Sequence, residues 1–95
     1  QRIVKEDEIM SFTFFYDNQP AKFLERLDKH IATRIKEKIE SSLIENPVPQ
    51  NATTITGEQG VFRIRIGDFR ALYRINYKDR KVIIVKIDKR SRVYK

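Results

Sequence analysis

The sequence predicts a small α+β domain in which a helical hairpin packs on one face of a mainly antiparallel β-sheet, in the order β-α-α-β-β-β. Three observations carry this expectation. A short aromatic segment near the N-terminus alternates at period two, apolar residues then recur at spacings of three and four, and three further segments return to period two. Ninety-five residues suffice for one domain with one small core, and residues 11–95 are assigned to it. Residues 1–10 read as an N-terminal extension of unknown role. The chain starts at Gln1, as expected of a processed or truncated terminus, and Met10 is a candidate internal start.

Ser11 to Tyr16 places Phe12, Phe14 and Tyr16 on one face of a strand. Asp17, Asn18, Gln19 and Pro20 end it and supply helix-start chemistry, with Pro20 suited to a first helical turn. Leu24, Leu27, Ile31, Ile35, Ile39 and Leu43 then form one apolar stripe at helical spacing. Asp28 can cap a second helix, so a hairpin breaking at Leu27 to Lys29 and a single long helix are both compatible with the pattern. Asn46, Pro47 and Pro49 stop the helix. Gln50 to Gly60 is polar and reads mainly as loop. Val61 to Ile66 alternates cleanly, Gly67-Asp68 marks a turn, and Phe69 to Tyr77 forms the next strand. After a Lys78-Asp79-Arg80 turn, Lys81 to Ile87 contains the apolar run Val82 to Val85, suited to a buried central strand.

Charge is distributed unevenly along this frame. Residues 61–95 hold 12 Lys or Arg against three acids, a balance of +9, whereas residues 1–60 hold 8 basic and 10 acidic residues. A basic sheet joined to a near-neutral helical half suits a phosphate-rich partner, because clustered Lys and Arg release counterions from nucleic acid; a solvated basic surface has the same composition. The chain has no cysteine and one histidine, His30, which leaves no thiolate nucleophile, no disulfide framework and no His-based zinc site. A reducing cytoplasm and no metal or other cofactor are the expectation. No apolar run reaches the roughly 18 residues a membrane span requires.

Within the basic segment, Arg63 and Arg65 stand two apart and project from the same face of their strand. Arg70 opens the neighbouring strand, and Arg90, Arg92 and Tyr94 follow the last one. In an antiparallel sheet these groups can converge on the face that the helices leave open, where five positive charges repel unless phosphate is bound. The same alternation also describes the solvent side of any amphipathic strand. A tyrosine such as Tyr94 packs its ring at a core edge in most proteins; beside several arginines its phenolate is favoured, which makes it a candidate general acid or base. His30 reads as a helix-boundary residue, Asp68 as a turn residue, and Phe12, Phe14, Phe62 and Phe69 as core.

The segment from Val61 to Lys95 resembles the C-terminal half of the RelE-type toxins of the RelE/ParE toxin–antitoxin superfamily. The shared marks are an aromatic residue before Arg63-x-Arg65, then Gly67-Asp68-Phe69-Arg70, an aromatic pair around Arg74, an apolar strand, and Lys89-Arg90 followed by Val93-Tyr94. The preceding helical stretch with its Pro-Val-Pro loop agrees, and the likeness covers residues 11–95.

That resemblance implies a metal-independent endoribonuclease that cuts messenger RNA in the ribosomal decoding site. The ribose 2′-hydroxyl attacks the adjacent phosphate, leaving a 2′,3′-cyclic phosphate and a 5′-hydroxyl. It assigns Arg63 and Arg65 to the substrate side, Arg70 to a phosphate clamp, Arg90 to charge stabilisation and the leaving group, and Tyr94 to stacking on or orienting the nucleotide. Lys89, Arg92 and Lys95 are expected to add RNA contacts. The implied partners are a RelB-type antitoxin, the ribosome and its messenger, and operator DNA through the antitoxin complex, with no membrane. Other members carry Lys at one or both of the Arg63 and Arg65 positions; Arg cannot be deprotonated in practice, so the proton acceptor is Tyr94 or a ribosomal group. The sequence stops at Lys95 where some relatives continue into a C-terminal helix, and a sheet edge is expected to remain for the antitoxin. The alternatives are a ParE-like inhibitor of DNA gyrase and a nucleic-acid-binding module without catalysis.

Overall fold

A computed structural model of the chain describes residues 11–55 and 57–89. The proposed N-terminal extension, and Arg90, Arg92, Tyr94 and Lys95, lie outside the described residues. The element order is β1 (Thr13–Tyr16), α1 (Asn18–Glu25), α2 (Lys29–Leu43), β2 (Thr53–Ile55), β3 (Glu58–Ile66), β4 (Phe69–Asn76) and β5 (Lys81–Lys89). The strands form one sheet in the order β1-β5-β4-β3-β2, parallel between β1 and β5 and antiparallel elsewhere. Both helices pack on one face.

The two helices separate where the sequence allowed a break. Asp28 caps α2 by accepting the amide of His30 through its side chain, 2.8 Å away, which satisfies one of the free N–H groups of the first turn. His30 itself is exposed beyond this cap. Pro20 sits in the first turn of α1 and is buried. Along α2 the buried stripe is Ile35, Ile39 and Leu43, at spacings of four. The predicted stripe included Ile31, but that side chain is 44% exposed and lines an open groove beside the β3–β4 turn instead of joining the core. The core comprises these residues with Phe12, Leu24, Ile64, Ile66, Ala71, Tyr73, Val82, Ile84 and Ile87, and Phe14, Phe62 and Phe69 pack against it as expected.

Gln50 to Gly60 differs from the sequence expectation. Thr53–Ile55 pairs with β3, and β3 begins at Glu58 rather than Val61. The segment shows no apolar alternation because a short edge strand with largely exposed side chains has no face to bury. The β3–β4 turn is a two-residue hairpin with Ile66 opposite Phe69; Gly67 takes φ 57°, as the first central position of such a turn requires.

β5 contains the irregularity that sets which side chain faces which way. Leu72 pairs with Lys86 and Tyr73 with Ile84, so Val85 is an extra residue in the ladder, a β-bulge. Strict alternation would carry Lys86 into the core after Val82 and Ile84. With the bulge, Val82, Ile84 and Ile87 are all fully buried, and Lys86 and Asp88 turn to the open face. β1 ends opposite Ile84, which leaves Ile87 without a neighbouring strand on that side. Gln19 replaces it: the Ile87 amide donates to Gln19 Oε1 at 2.8 Å, and Gln19 Nε2 donates to the Ile87 carbonyl at 3.1 Å. The side chain of α1 thus completes the ladder.

A second anchor joins the sheet to the loop after α2. The buried Tyr73 hydroxyl donates to the Pro47 carbonyl at 2.6 Å, and its ring stacks on Phe62. Burial, with a smaller effect from Tyr77, pushes the Tyr73 hydroxyl up from 10 to about 12. Tyr16, which donates to Glu40 at 2.7 Å, is also held well above its ordinary value by burial and that carboxylate.

Gln19→Ala is expected to destabilise by about 1–3 kcal/mol, since both polar groups of Ile87 lose their partner; chemical denaturation measures it. Tyr73→Phe should lower stability at neutral pH by a similar ~1–3 kcal/mol, because the Pro47 carbonyl is left unpaired. The folded state favours the neutral phenol, so the stability it lends is whole below pH 10 and is lost as the pH rises toward 12. Denaturation midpoints at neutral pH and near pH 11 should therefore converge between wild type and Tyr73→Phe.

Candidate functional site

The face of the sheet opposite the helices is where the basic residues collect. Register places its side chains in four rows across the strands. Arg65, Arg70 and Asp88 make the first, and Thr53, Arg63, Leu72 and Lys86 the second. Val61, Arg74, Ile83 and Phe15 make the third, and Asn76, Lys81 and Thr13 the fourth. Rows are about 6.8 Å apart along the strands, so the whole array spans about 20 Å.

Each arginine reaches this face for a local reason. Arg63 and Arg65 are the exposed members of β3, whose alternate residues Ile64 and Ile66 are buried. Arg70 and Arg74 stand four apart on β4, with the core residues Ala71 and Tyr73 between them on the opposite face. Lys86 and Asp88 arrive through the Val85 bulge. Asp88 is the carboxylate that the strands place among these cations. Its Oδ2 lies 3.9 Å from Arg70 and 3.7 Å from Lys86, beyond hydrogen-bond length in both cases.

The structure brings together Arg63, Arg65 and Arg70, as the sequence suggested. Lys89 pairs with Phe69 at the end of β5, and by alternation it falls on the helix-bearing side rather than with the arginines. Arg90, Arg92, Tyr94 and Lys95 follow directly in the chain, outside the described residues. Sequence reading missed Arg74, Lys81 and Lys86 as members of the same face. The spacing of Arg70 and Arg74 carried that information for one of them; the other two depend on strand pairing and on the bulge.

Chemically, the array offers guanidinium forks and ammonium groups and little to neutralise them. Arg63 and Arg65 are open to solvent and able to take phosphate oxygens bidentately. Among the described residues no three His, Cys, Asp or Glu side chains are grouped to hold a metal ion.

Comparison with known proteins agrees with this arrangement. The family model described as the ParE toxin of the type II toxin–antitoxin system parDE matches residues 15–94. The chain is 36% identical over 89 residues to "Putative toxin RelE1" of Methanocaldococcus jannaschii, covering 90% of this chain and 98% of that protein. Its fold is similar to the RelBE2 toxin–antitoxin complex of Mycobacterium tuberculosis, with a TM-score of 0.75 and 26% identity over 90% of this chain and 98% of the other. It is also similar to the archaeal RelE–RelB complex of Pyrococcus horikoshii, with a TM-score of 0.67 and 31% identity over 87% of this chain and 99% of the other. The sheet order, the open basic face and these likenesses agree: the chain belongs to the RelE/ParE family of type II toxin–antitoxin toxins, as a RelE-type member.

Proposed function

We propose that this toxin is a ribosome-dependent endoribonuclease that cleaves messenger RNA in the decoding site. The observation that carries the reading is the open sheet face, which gathers Arg63, Arg65, Arg70, Arg74, Lys81 and Lys86, with the carboxylate of Asp88 near Arg70 and Lys86 at one end. Such a surface is electrostatically strained until a polyanion occupies it.

In this mechanism the messenger supplies its own nucleophile. The 2′-oxygen attacks the adjacent phosphorus, the bond to the 5′-oxygen breaks, and a 2′,3′-cyclic phosphate and a 5′-hydroxyl result. Arg63 and Arg65 bind the substrate strand, and Arg70 clamps the scissile phosphate. Their fixed positive charge stabilises the extra negative charge of the pentacoordinate transition state. Arg90, one residue beyond β5, stabilises charge at the leaving oxygen, and Tyr94 stacks on or orients the nucleotide. Guanidinium groups cannot accept the 2′-hydroxyl proton at neutral pH. Tyr94 or a ribosomal group takes it, and the leaving 5′-oxygen is protonated in turn.

The similar solved structures from M. tuberculosis and P. horikoshii are toxin–antitoxin complexes, which supports a RelB-type antitoxin as the partner that holds this chain inactive. Operator DNA is then reached through that complex. A second reading is favoured by the family model, which is described as the ParE toxin: inhibition of DNA gyrase without RNA cleavage.

On programmed ribosomes carrying a defined messenger, primer extension should show a cut within the decoding-site codon. Arg65→Ala should slow it by about 10²-fold or more, as loss of one transition-state donor does. Arg65 is exposed, so its thermal unfolding should stay within about 0.5 kcal/mol of wild type. An intact messenger together with loss of gyrase supercoiling would replace the nuclease with the ParE-like reading. Asp88→Asn tests the electrostatics separately. At low ionic strength it should lower the melting temperature, by an amount inorganic phosphate restores, and tighten single-stranded RNA binding, because no carboxylate then competes for Arg70 and Lys86.

A further inference from the structure

We propose that Phe15, Arg74 and Lys81 form a second nucleotide subsite on the open sheet face, which holds a base and its flanking phosphates beside the scissile position. This inference rests on the nuclease reading and extends it along the substrate strand.

Phe15 is the observation that asks for an explanation. β1 carries two consecutive phenylalanines: Phe14 packs against the core, whereas Phe15 points to the opposite face and is 44% exposed. It lies on an edge strand, where a bare aromatic side chain is a liability for association and contributes nothing to the core. Its surroundings are those of a single-strand binding surface. The Lys81 ammonium is 5.2 Å from the ring centroid. Register places Phe15 beside Ile83 and Ile83 beside Arg74, so an apolar shelf runs from the ring to an exposed guanidinium.

The position within the array gives the shelf its role. The rows holding Arg63, Arg65, Arg70 and Lys86 are those assigned to the scissile phosphate. The Arg74 and Lys81 rows continue the same cationic track for two further steps of about 6.8 Å each. A strand of RNA laid along it meets a cation in every row and an aromatic platform in the third. Stacking on an aromatic face with cations alongside is how proteins hold single-stranded nucleic acid without reading its sequence. An acidic helix of a protein partner is less well served here. It needs an apolar groove, and such grooves lie elsewhere among the described residues, one of them between α2 and the β3–β4 turn, lined by Ile31, Ile35, Ile66 and Phe69 with Arg34 and Lys38.

The test uses the full chain on programmed ribosomes under single-turnover conditions. Phe15→Ala should raise the ribosome concentration for half-maximal cleavage about tenfold, the effect of one lost stacking contact, with a much smaller change in the limiting rate. Phe15→Trp should restore it. Arg74→Ala should weaken binding and flatten its dependence on salt. Arg65→Ala, by contrast, should depress the limiting rate. An unchanged concentration dependence in Phe15→Ala and Arg74→Ala, with cleavage intact in wild type, would overturn the subsite and leave the nuclease standing. If wild type cuts no messenger, the nuclease reading fails. The subsite is then decided by fluorescence anisotropy with a 2′-O-methyl oligoribonucleotide long enough to span the four rows: a tenfold loss in Phe15→Ala sustains it, and equal affinity overturns it. Loss of binding to a RelB-type antitoxin with RNA affinity unchanged would assign the face to the antitoxin and overturn it as well.

Discussion

The two faces of this sheet are kept distinct by one extra residue in β5. Val82 and Ile84 establish an alternation that, continued unbroken, would bury Lys86 and expose Ile87. The bulge at Val85 resets the phase, so that three fully buried aliphatic side chains and two charged ones each find the correct side. A bulged strand loses ladder pairing, and here the loss falls where β1 has already ended. Gln19 from α1 supplies a carbonyl and an amide in place of the missing strand. The helix is therefore tied to the sheet by directional bonds as well as by apolar burial, and the tie sits at the point that orients Lys86 and Asp88.

Division of the sheet into a covered face and a bare one explains how a small chain holds so much like charge. The covered face supplies the burial of apolar surface that offsets conformational entropy. Among the described residues the open face then carries six cations whose side chains are exposed or half-buried, so water weakens their repulsion without abolishing it. Asp88 offsets part of it at distances too long for tight pairing, so Arg70 and Lys86 are held near one carboxylate without being bound to it. That is a suitable resting state for groups that must exchange a carboxylate for a phosphate. A tightly paired arginine would have to break a charge-assisted hydrogen bond first.

Much of this was legible in the residues. The helical stripe ending in Ile35, Ile39 and Leu43, the break at Asp28, the Gly67-Asp68 turn and the outward pair Arg63 and Arg65 all follow from local periodicity and cap chemistry. Where reading failed, the cause was a neighbour rather than the residue itself. Ile31 matched the stripe but lines an open groove and stays 44% exposed, and Thr53–Ile55 lacked any apolar pattern because it is a short edge strand with largely exposed side chains. The position of Lys89 opposite Phe69 likewise depends on strand pairing and not on its sequence neighbours.

What the sequence by itself determined is the alternation of each strand, the amphipathic helix and the strongly basic C-terminal segment, since these depend on residues a few positions apart. Tertiary structure alone decided that β1 runs parallel beside β5, that Val85 is the surplus residue, and that Phe15, Arg74, Lys81 and Lys86 share a face with Arg63, Arg65 and Arg70. Those outcomes depend on which strands become neighbours and in what register. That choice is made by burying the whole apolar face at once, and no local window of the chain contains it.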